Sequence, residues 1–280
     1  MEKRTSYGRT ILAYVVLIIL AFLCLFFFYI LIINATRNHA QIQQGFSFLP
    51  GKSFWVNLHN VMNDANIPVM SGIKNSLIVS GAAAILATYF SSLTAYGLYA
   101  YDFKLKRPAF IFIMLILVMP TQVSALGFVR LVTGMGMINT LWPLFLPSIA
   151  APAVFYFMYS YMQSTLPLDL VEAARIDGSS EFRTFNRIVL PIMKPAIAVQ
   201  AIFTFVTTWN NFFVPALIIS DNSKKTMPIL IAALRSADFM KFDMGKVYMI
   251  ILIAILPIII VYLILSRYII AGVTLGGVKE

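Results

Sequence analysis

The chain has 280 residues, 60% of them hydrophobic and only 11% charged. Soluble domains carry about 25% charged residues, so a water-soluble globule is excluded and the composition is that of an integral membrane protein. The net charge of +10 does not indicate nucleic acid, because no basic stripe with interleaved stacking aromatics occurs; cations beside membrane spans orient them and meet anionic headgroups. The lone Cys24 allows no internal disulfide. His39 and His59 have no Cys or Asp at ligand spacing, so no metal site is expected.

A short basic start (Lys3, Arg4, Arg9) precedes an apolar run over 11–33, long enough to cross about 30 Å of hydrocarbon. Its length and its polar end at Asn34 predict an uncleaved anchor, not a signal peptide, whose core is about 7–15 residues. The polar loop from Asn34 to Ser71 contains Gly51-Lys52-Ser53. A phosphate-binding loop needs a glycine where Phe46 stands, and no βα unit surrounds it, so no nucleotide site is expected. A second span covers 73–99, rich in Gly, Ala and Ser, the residues that let membrane helices approach closely. Asp102 to Pro108 is a basic loop. A third span, 109–129, is broken by Pro120 and followed by Gln122. Gly134 and Gly136 lack the preceding strand of a dinucleotide fingerprint and read as a turn. A fourth span covers 142–162, with Pro143, Pro147 and Pro152 in its first half.

A charged island occupies 164–194. Pro167 and Asp169 suit a helix start. Gly178 ends that helix, Ser179 or Ser180 caps a second, and Leu190-Pro191 is expected to stop it. The predicted motif is therefore helix, glycine turn, helix, on the water side. The string Glu172-Ala173-Ala174-Arg175-Ile176-Asp177-Gly178, closed by Ile188-Val189-Leu190-Pro191, resembles the cytoplasmic "EAA" loop of binding-protein-dependent ABC importer permeases, in particular the maltose-permease-like carbohydrate-uptake branch. A DNA-reading helix pair would need a soluble core that so short a loop cannot supply.

A fifth span covers 195–220. Thr204, Thr207 or Thr208, and Asn211 fall at i, i+3/i+4 and i+7, one face of a helix, with Asn210 beside them. Unpaired amides in lipid are costly, so this face is expected to look inward. It serves either helix–helix hydrogen bonding or a path that exchanges hydrogen bonds with a polyol. After a polar loop over 221–245, a sixth span covers 247–264, and the tail ends Leu275-Gly276-Gly277-Val278-Lys279-Glu280. No Asp, Glu, Lys or Arg lies at the centre of a span, which argues against ion-coupled carriers. With six spans, twelve Lys and Arg share the side of the termini and the island, leaving nine of the 21 opposite; this bias is weak, and the resemblance of the island to a cytoplasmic loop decides the orientation more firmly, implying both termini in the cytoplasm.

The resemblance implies an all-α, six-span permease filling 1–280 as one transmembrane domain of a type I ABC importer, multi-pass in a bacterial cytoplasmic membrane. It is not an enzyme: no catalytic residue and no cofactor are expected here, ATP and Mg²⁺ belonging to the partner. The implied partners are a second homologous permease, an ABC ATPase dimer, an extracellular solute-binding protein, membrane lipid and a carbohydrate substrate, with no nucleic acid. Glu172, Ala173, Ala174, Asp177 and Gly178 are implied to couple to the ATPase, Glu172 by pairing with a cation and Ala173, Ala174 and Gly178 by close packing. The tail Leu275, Gly276, Gly277, Val278 and Lys279 is implied to reach between the ATPase subunits. Thr204, Thr208, Asn210, Asn211 and Gln122 are the candidate substrate path. The alternatives are an importer of another neutral solute or a stand-alone sugar facilitator.

Overall fold

The computed structural model describes residues 7–64, 66–235 and 243–276, with backbone only for Thr121, Arg235 and 267–276. Every regular element among the described residues is helical. In chain order these are α1 (Tyr7–Ala35), α2 (His39–Gln43), α3 (Phe54–Met62), α4 (Val69–Ala100), α5 (Lys106–Leu117) and α6 (Thr121–Gly134). There follow α7 (Trp142–Phe145) with a 3₁₀ turn (Leu146–Ile149), α8 (Pro152–Thr165), α9 (Leu168–Ile176) and α10 (Glu181–Thr184). A π turn (Phe185–Val189) leads to α11 (Leu190–Ile192), α12 (Lys194–Trp209) and α13 (Phe213–Ile218). A 3₁₀ turn (Asn222–Lys224), α14 (Met227–Arg235) and α15 (Met244–Gly276) complete the chain.

Four helical stretches are long and apolar enough to cross a bilayer: α1, α4, Trp142–Thr165 and Met244–Ser266. Two bent pairs bring the number to as many as six. The chain is a multi-pass membrane protein. The interruption expected at Pro120 is a corner: α5 and α6 meet at 101°, with Pro120 extended (ψ 127°) as the residue before α6. The prolines of 142–162 each open an element, Pro143 in the first turn of α7, Pro147 in that of the 3₁₀ turn, and Pro152 in that of α8. There a missing N–H costs nothing.

One expectation needs correction. The fifth span, read as continuous over 195–220, ends at Trp209 and resumes at Phe213. Pro215 accounts for the break: in a continuous helix its ring would meet the carbonyl of Asn211 and its nitrogen could not donate. The last helix runs on to Gly276, and the part of it long and apolar enough to cross a bilayer is Met244–Ser266, beside the expected 247–264.

By internal packing the chain divides into two compact units, one formed by residues up to Val69 with Ile231–Ile255, the other by Met70–Leu230 with the chain from Leu256. In the first, Arg37 is buried and its guanidinium donates to Asn34 Oδ1 (3.2 Å), to the Gly45 carbonyl (2.9 Å) and to the Gln41 carbonyl. Asn57 Nδ2 donates to the carbonyls of Ala35 and Arg37, both at 2.9 Å. A β-carbon at Gly245 would lie 2.8 Å from the Arg37 carbonyl, which is why glycine stands there. Lys246 Nζ pairs with Asp64 at 2.6 Å. Burial alone would push the Asp64 carboxyl up, but the Lys246 ammonium and the Asn66 N–H together hold it below its usual range.

The second unit has its core where α4 and α8 meet the segment after α9. Ala87, Ala95, Tyr96, Met158, Met162 and Phe185 are all buried there. Alanines on α4 permit the close approach expected of its small residues. A smaller cluster joins Val132 of α6 to Ile218, Ile219 and Ile229.

Candidate functional site

The connection 164–194 between α8 and α12 forms the predicted helix, glycine turn and helix. Pro167 is the N-cap of α9, Asp169 lies in its first turn and Arg175 in its last, each charge matching the helix dipole. The end of α9 is a complete Schellman motif. Gly178 has φ +74°, its N–H donates to the Arg175 carbonyl (3.0 Å), and the Ser179 N–H donates to the Ala174 carbonyl (2.9 Å). Nothing lies within 4 Å of a β-carbon built on Gly178. Within this chain the glycine is therefore required by conformation, not by close packing.

Ser180, in extended conformation, opens α10, with Glu181 in its first turn. This second helix ends at Ile192, one residue past the expected stop at Leu190-Pro191. The ladder widens into a π turn over 185–189, in which the Leu190 N–H reaches back to the Phe185 carbonyl. That wider turn is one way a helix passes a proline. The helix then runs to Ile192 and turns by 80° into α12, whose first turn holds Pro195 as the sequence implied.

The structure pairs Arg175 with Glu181 across the glycine turn, Nε to Oε1 at 2.7 Å. The other carboxylate oxygen of Glu181 accepts from the hydroxyl of Tyr96 at 2.9 Å. The Arg175 guanidinium also lies over the Tyr101 ring, 5.0 Å from its centroid. Two further bonds run from α4 to this connection: Tyr99 to the Leu166 carbonyl (3.0 Å) and Tyr89 to Asn186 (3.3 Å). The Arg175 hydrogen bond, aided by those of Tyr101 and Tyr96, holds the Glu181 carboxyl below its usual range. Partial burial and the neighbouring carboxylate push the Tyr101 phenol up.

Ala174 is buried beneath α9, whereas Glu172, Ala173, Asp177 and Gly178 are exposed. Beside them Ile176 is 87% and Phe182 65% exposed. The loop thus exposes a carboxylate, Glu172, and two large apolar side chains. The sequence placed both residues in the loop, but nothing in its local pattern tells which side chains face outward.

The polar residues of the fifth span separate. Thr208 and Asn211 line a cavity of about 20 Å³ together with Ser76, Ser80 and Thr226. The hydroxyls of Ser80 and Thr226 are buried there without a hydrogen-bond partner. Asn211 also lines a larger cavity of about 500 Å³, whose walls include Phe128, Leu144, Pro147 and Ser124. Asn211 reaches both because it sits in the break after α12, not on the helical face the spacing predicted. Thr204, Asn210 and Gln122 line neither cavity. Asn210 is the C-cap of α12 and its amide donates to the Val206 carbonyl at 3.0 Å. The i, i+4 pair Ser76 and Ser80 on α4 was a signal available in the sequence. Of the tail, Leu275 and Gly276 form the end of α15, while Gly277, Val278 and Lys279 lie outside the described residues.

Residues 87–274 match the family model described as "Binding-protein-dependent transport system inner membrane component". The chain is 36% identical over 208 residues to the arabinooligosaccharides transport system permease protein AraQ of Bacillus subtilis (strain 168), covering 73% of this chain and 72% of that protein. It is 32% identical over 285 residues to the protein of the same name from Halalkalibacterium halodurans, covering 100% of both. Among solved structures, it superposes with a TM-score of 0.81 and 19% identity on a chain from the crystal structure of a bacterial ABC transporter involved in the import of the acidic polysaccharide alginate. That match covers 96% of this chain and 99% of the other.

Proposed function

The chain belongs to the binding-protein-dependent transport system inner membrane components, and from that premise we propose that it is one permease subunit of an ATP-driven ABC importer moving a carbohydrate, an oligosaccharide, across the cytoplasmic membrane of a bacterium. Membership brings the partners of such a complex: a solute-binding protein, an ATPase and a second permease. The observation that carries the reading is the loop over 168–192. It combines a family motif with a Schellman turn at Gly178, an exposed Glu172 and two exposed apolar side chains, Ile176 and Phe182. An exposed carboxylate on a loop that also exposes large apolar groups suits docking against a cationic cleft from which water is excluded.

In this reading 1–280 is one transmembrane domain of six spans, two of them bent, with both termini in the cytoplasm. Glu172 pairs with a cation of the ATPase dimer, Ile176 and Phe182 fill the cleft around it, and the tail from Leu275 to Lys279 reaches between the ATPase subunits. ATP and Mg²⁺ are held by that partner. The carbohydrate assignment is supported by the relatives named for arabino-oligosaccharides. Of the path residues, Thr208 and Asn211 are retained and joined by Ser76, Ser80 and Thr226. Thr208, Ser76, Ser80 and Thr226 offer hydroxyl groups around the cavity of about 20 Å³, and Asn211 carries its amide to the cavity of about 500 Å³ as well, a volume within the range of ligand sites. Thr204, Asn210 and Gln122 serve packing or helix ends.

The test is reconstitution of the permease pair with ATPase and binding protein in proteoliposomes, followed by uptake of labelled arabino-oligosaccharides. Uptake should require both ATP and the binding protein. Saturable uptake by this chain alone, indifferent to ATP, would replace the importer reading with a facilitator.

A further inference from the structure

Resting on the importer reading, we propose that Tyr96, Glu181 and Arg175 form a mechanical joint that makes the two loop helices one lever and fastens that lever to α4. Gly178, with φ +74°, is the natural hinge between α9 and α10. The Arg175–Glu181 pair closes across that hinge at 2.7 Å, so α9 cannot swing without carrying α10. The same carboxylate accepts from Tyr96 at 2.9 Å. Tyr96 is 3% exposed, and its ring sits 5.7 Å from that of Phe185 at the start of the π turn. Tyr101, the first residue past Ala100, lies under the Arg175 guanidinium at 5.0 Å.

The three polar tethers from α4 differ in what they hold. Tyr99 holds the carbonyl of Leu166, before α9 begins. Tyr89 holds Asn186, beyond α10. Among the described residues, only Glu181 links both loop helices and α4 at once. The pair itself is roughly two-fifths exposed, at 36% and 43% for its two side chains, and an ion pair in such a setting adds little stability. Its contribution is therefore geometric. A push delivered to α9 from the water side reaches α4 through Arg175, Glu181 and Tyr96 in turn. These are positioning residues: none is placed on the substrate path or at the ATPase contact.

Tyr96→Phe removes one hydroxyl and leaves the ring packing, and Glu181→Gln keeps the size of the side chain. In the complete complex in proteoliposomes, both variants should recover wild-type amounts of ATPase on pull-down and keep binding-protein-stimulated ATP hydrolysis. Substrate transported per ATP should fall about fivefold or more, the lower end of ordinary coupling between sites. The double variant should be no worse than the stronger single one, because both break the same connection. A role confined to stability would instead lower ATPase recovery and thermal midpoint together at an unchanged ratio, and that result overturns the joint. Wild-type transport per ATP in both variants also overturns it and leaves the importer reading standing. A wild-type chain that recruits no ATPase overturns both.

Discussion

Replacing Gly178 by valine isolates the conformational demand of the loop from its contacts. A side chain there would meet nothing within 4 Å, so no clash contributes. What remains is the φ of +74°. A residue with a β-carbon adopts that region at a cost of roughly 1–2 kcal/mol, with β-branched side chains at the upper end or above. Escape into an ordinary helical conformation would give up the Gly178 to Arg175 and Ser179 to Ala174 backbone bonds and pull Arg175 away from Glu181. At about 1.4 kcal/mol per decade, a penalty of about 2 kcal/mol cuts the share of correctly turned loops roughly thirtyfold against competing shapes. The assay is recovery of the ATPase on tagged permease at limiting ATPase concentration. Gly178→Val should lose most of it, while Gly178→Asn should stay within about threefold of wild type, since asparagine tolerates the left-handed region. Equal recovery for valine and wild type, or equal loss for valine and asparagine, would refute the argument.

Thr208→Val and Asn211→Leu should each raise the KM of uptake several-fold with the complex assembled. Asn210→Leu should not, because its amide is occupied at the end of α12; uniform behaviour of the three by uptake kinetics would remove the proposed path. Asn139 holds φ +58° and its Oδ1 accepts from the N–H groups of Ser220 (2.6 Å) and Asp221 (3.0 Å). Asn139→Ala should cost about 2 kcal/mol through backbone strain and lost hydrogen bonds, read as a lower thermal midpoint in detergent. Asn139→Gly should lose less, having only the bonds to give up. Deleting Leu275 to Glu280 should leave membrane insertion intact and lower transport per ATP; wild-type coupling in the truncated complex would remove the tail from the ATPase contact.

The loop could be read locally because its signals are local: Pro167 and Asp169 start a helix, and Gly178 ends it, all within a dozen residues. The joint to α4 carries no such signal. Tyr96 and Glu181 are 85 positions apart, and each looks ordinary on its own helix. The fifth span shows a different failure. Periodicity of Thr204, Thr208 and Asn211 suggested one helical face, but Pro215 disfavours a helix through Asn211, and the chain breaks between Trp209 and Phe213. At Pro191 the same rule predicted a stop: the helix ends one residue on, at Ile192, after a π turn that lets the backbone pass the proline. Prolines in membrane helices thus fix where the backbone must adjust, while neighbouring packing decides how.

The most direct test of the central claim is the association of this chain with its ATPase when Glu172 is replaced. Among the described residues Glu172 takes part in neither ion pair, since Arg175 belongs to Glu181 and Lys246 to Asp64. The ion pair within the loop therefore does not depend on it. Truncating one member of a charge pair buried at an interface costs about 2–5 kcal/mol, or roughly one to three orders of magnitude in affinity. The Glu172→Ala permease should express, pair with its sister subunit, and lose ATPase recovery and uptake together. Full ATPase recovery with full uptake in Glu172→Ala would contradict the assignment of this loop as the docking element.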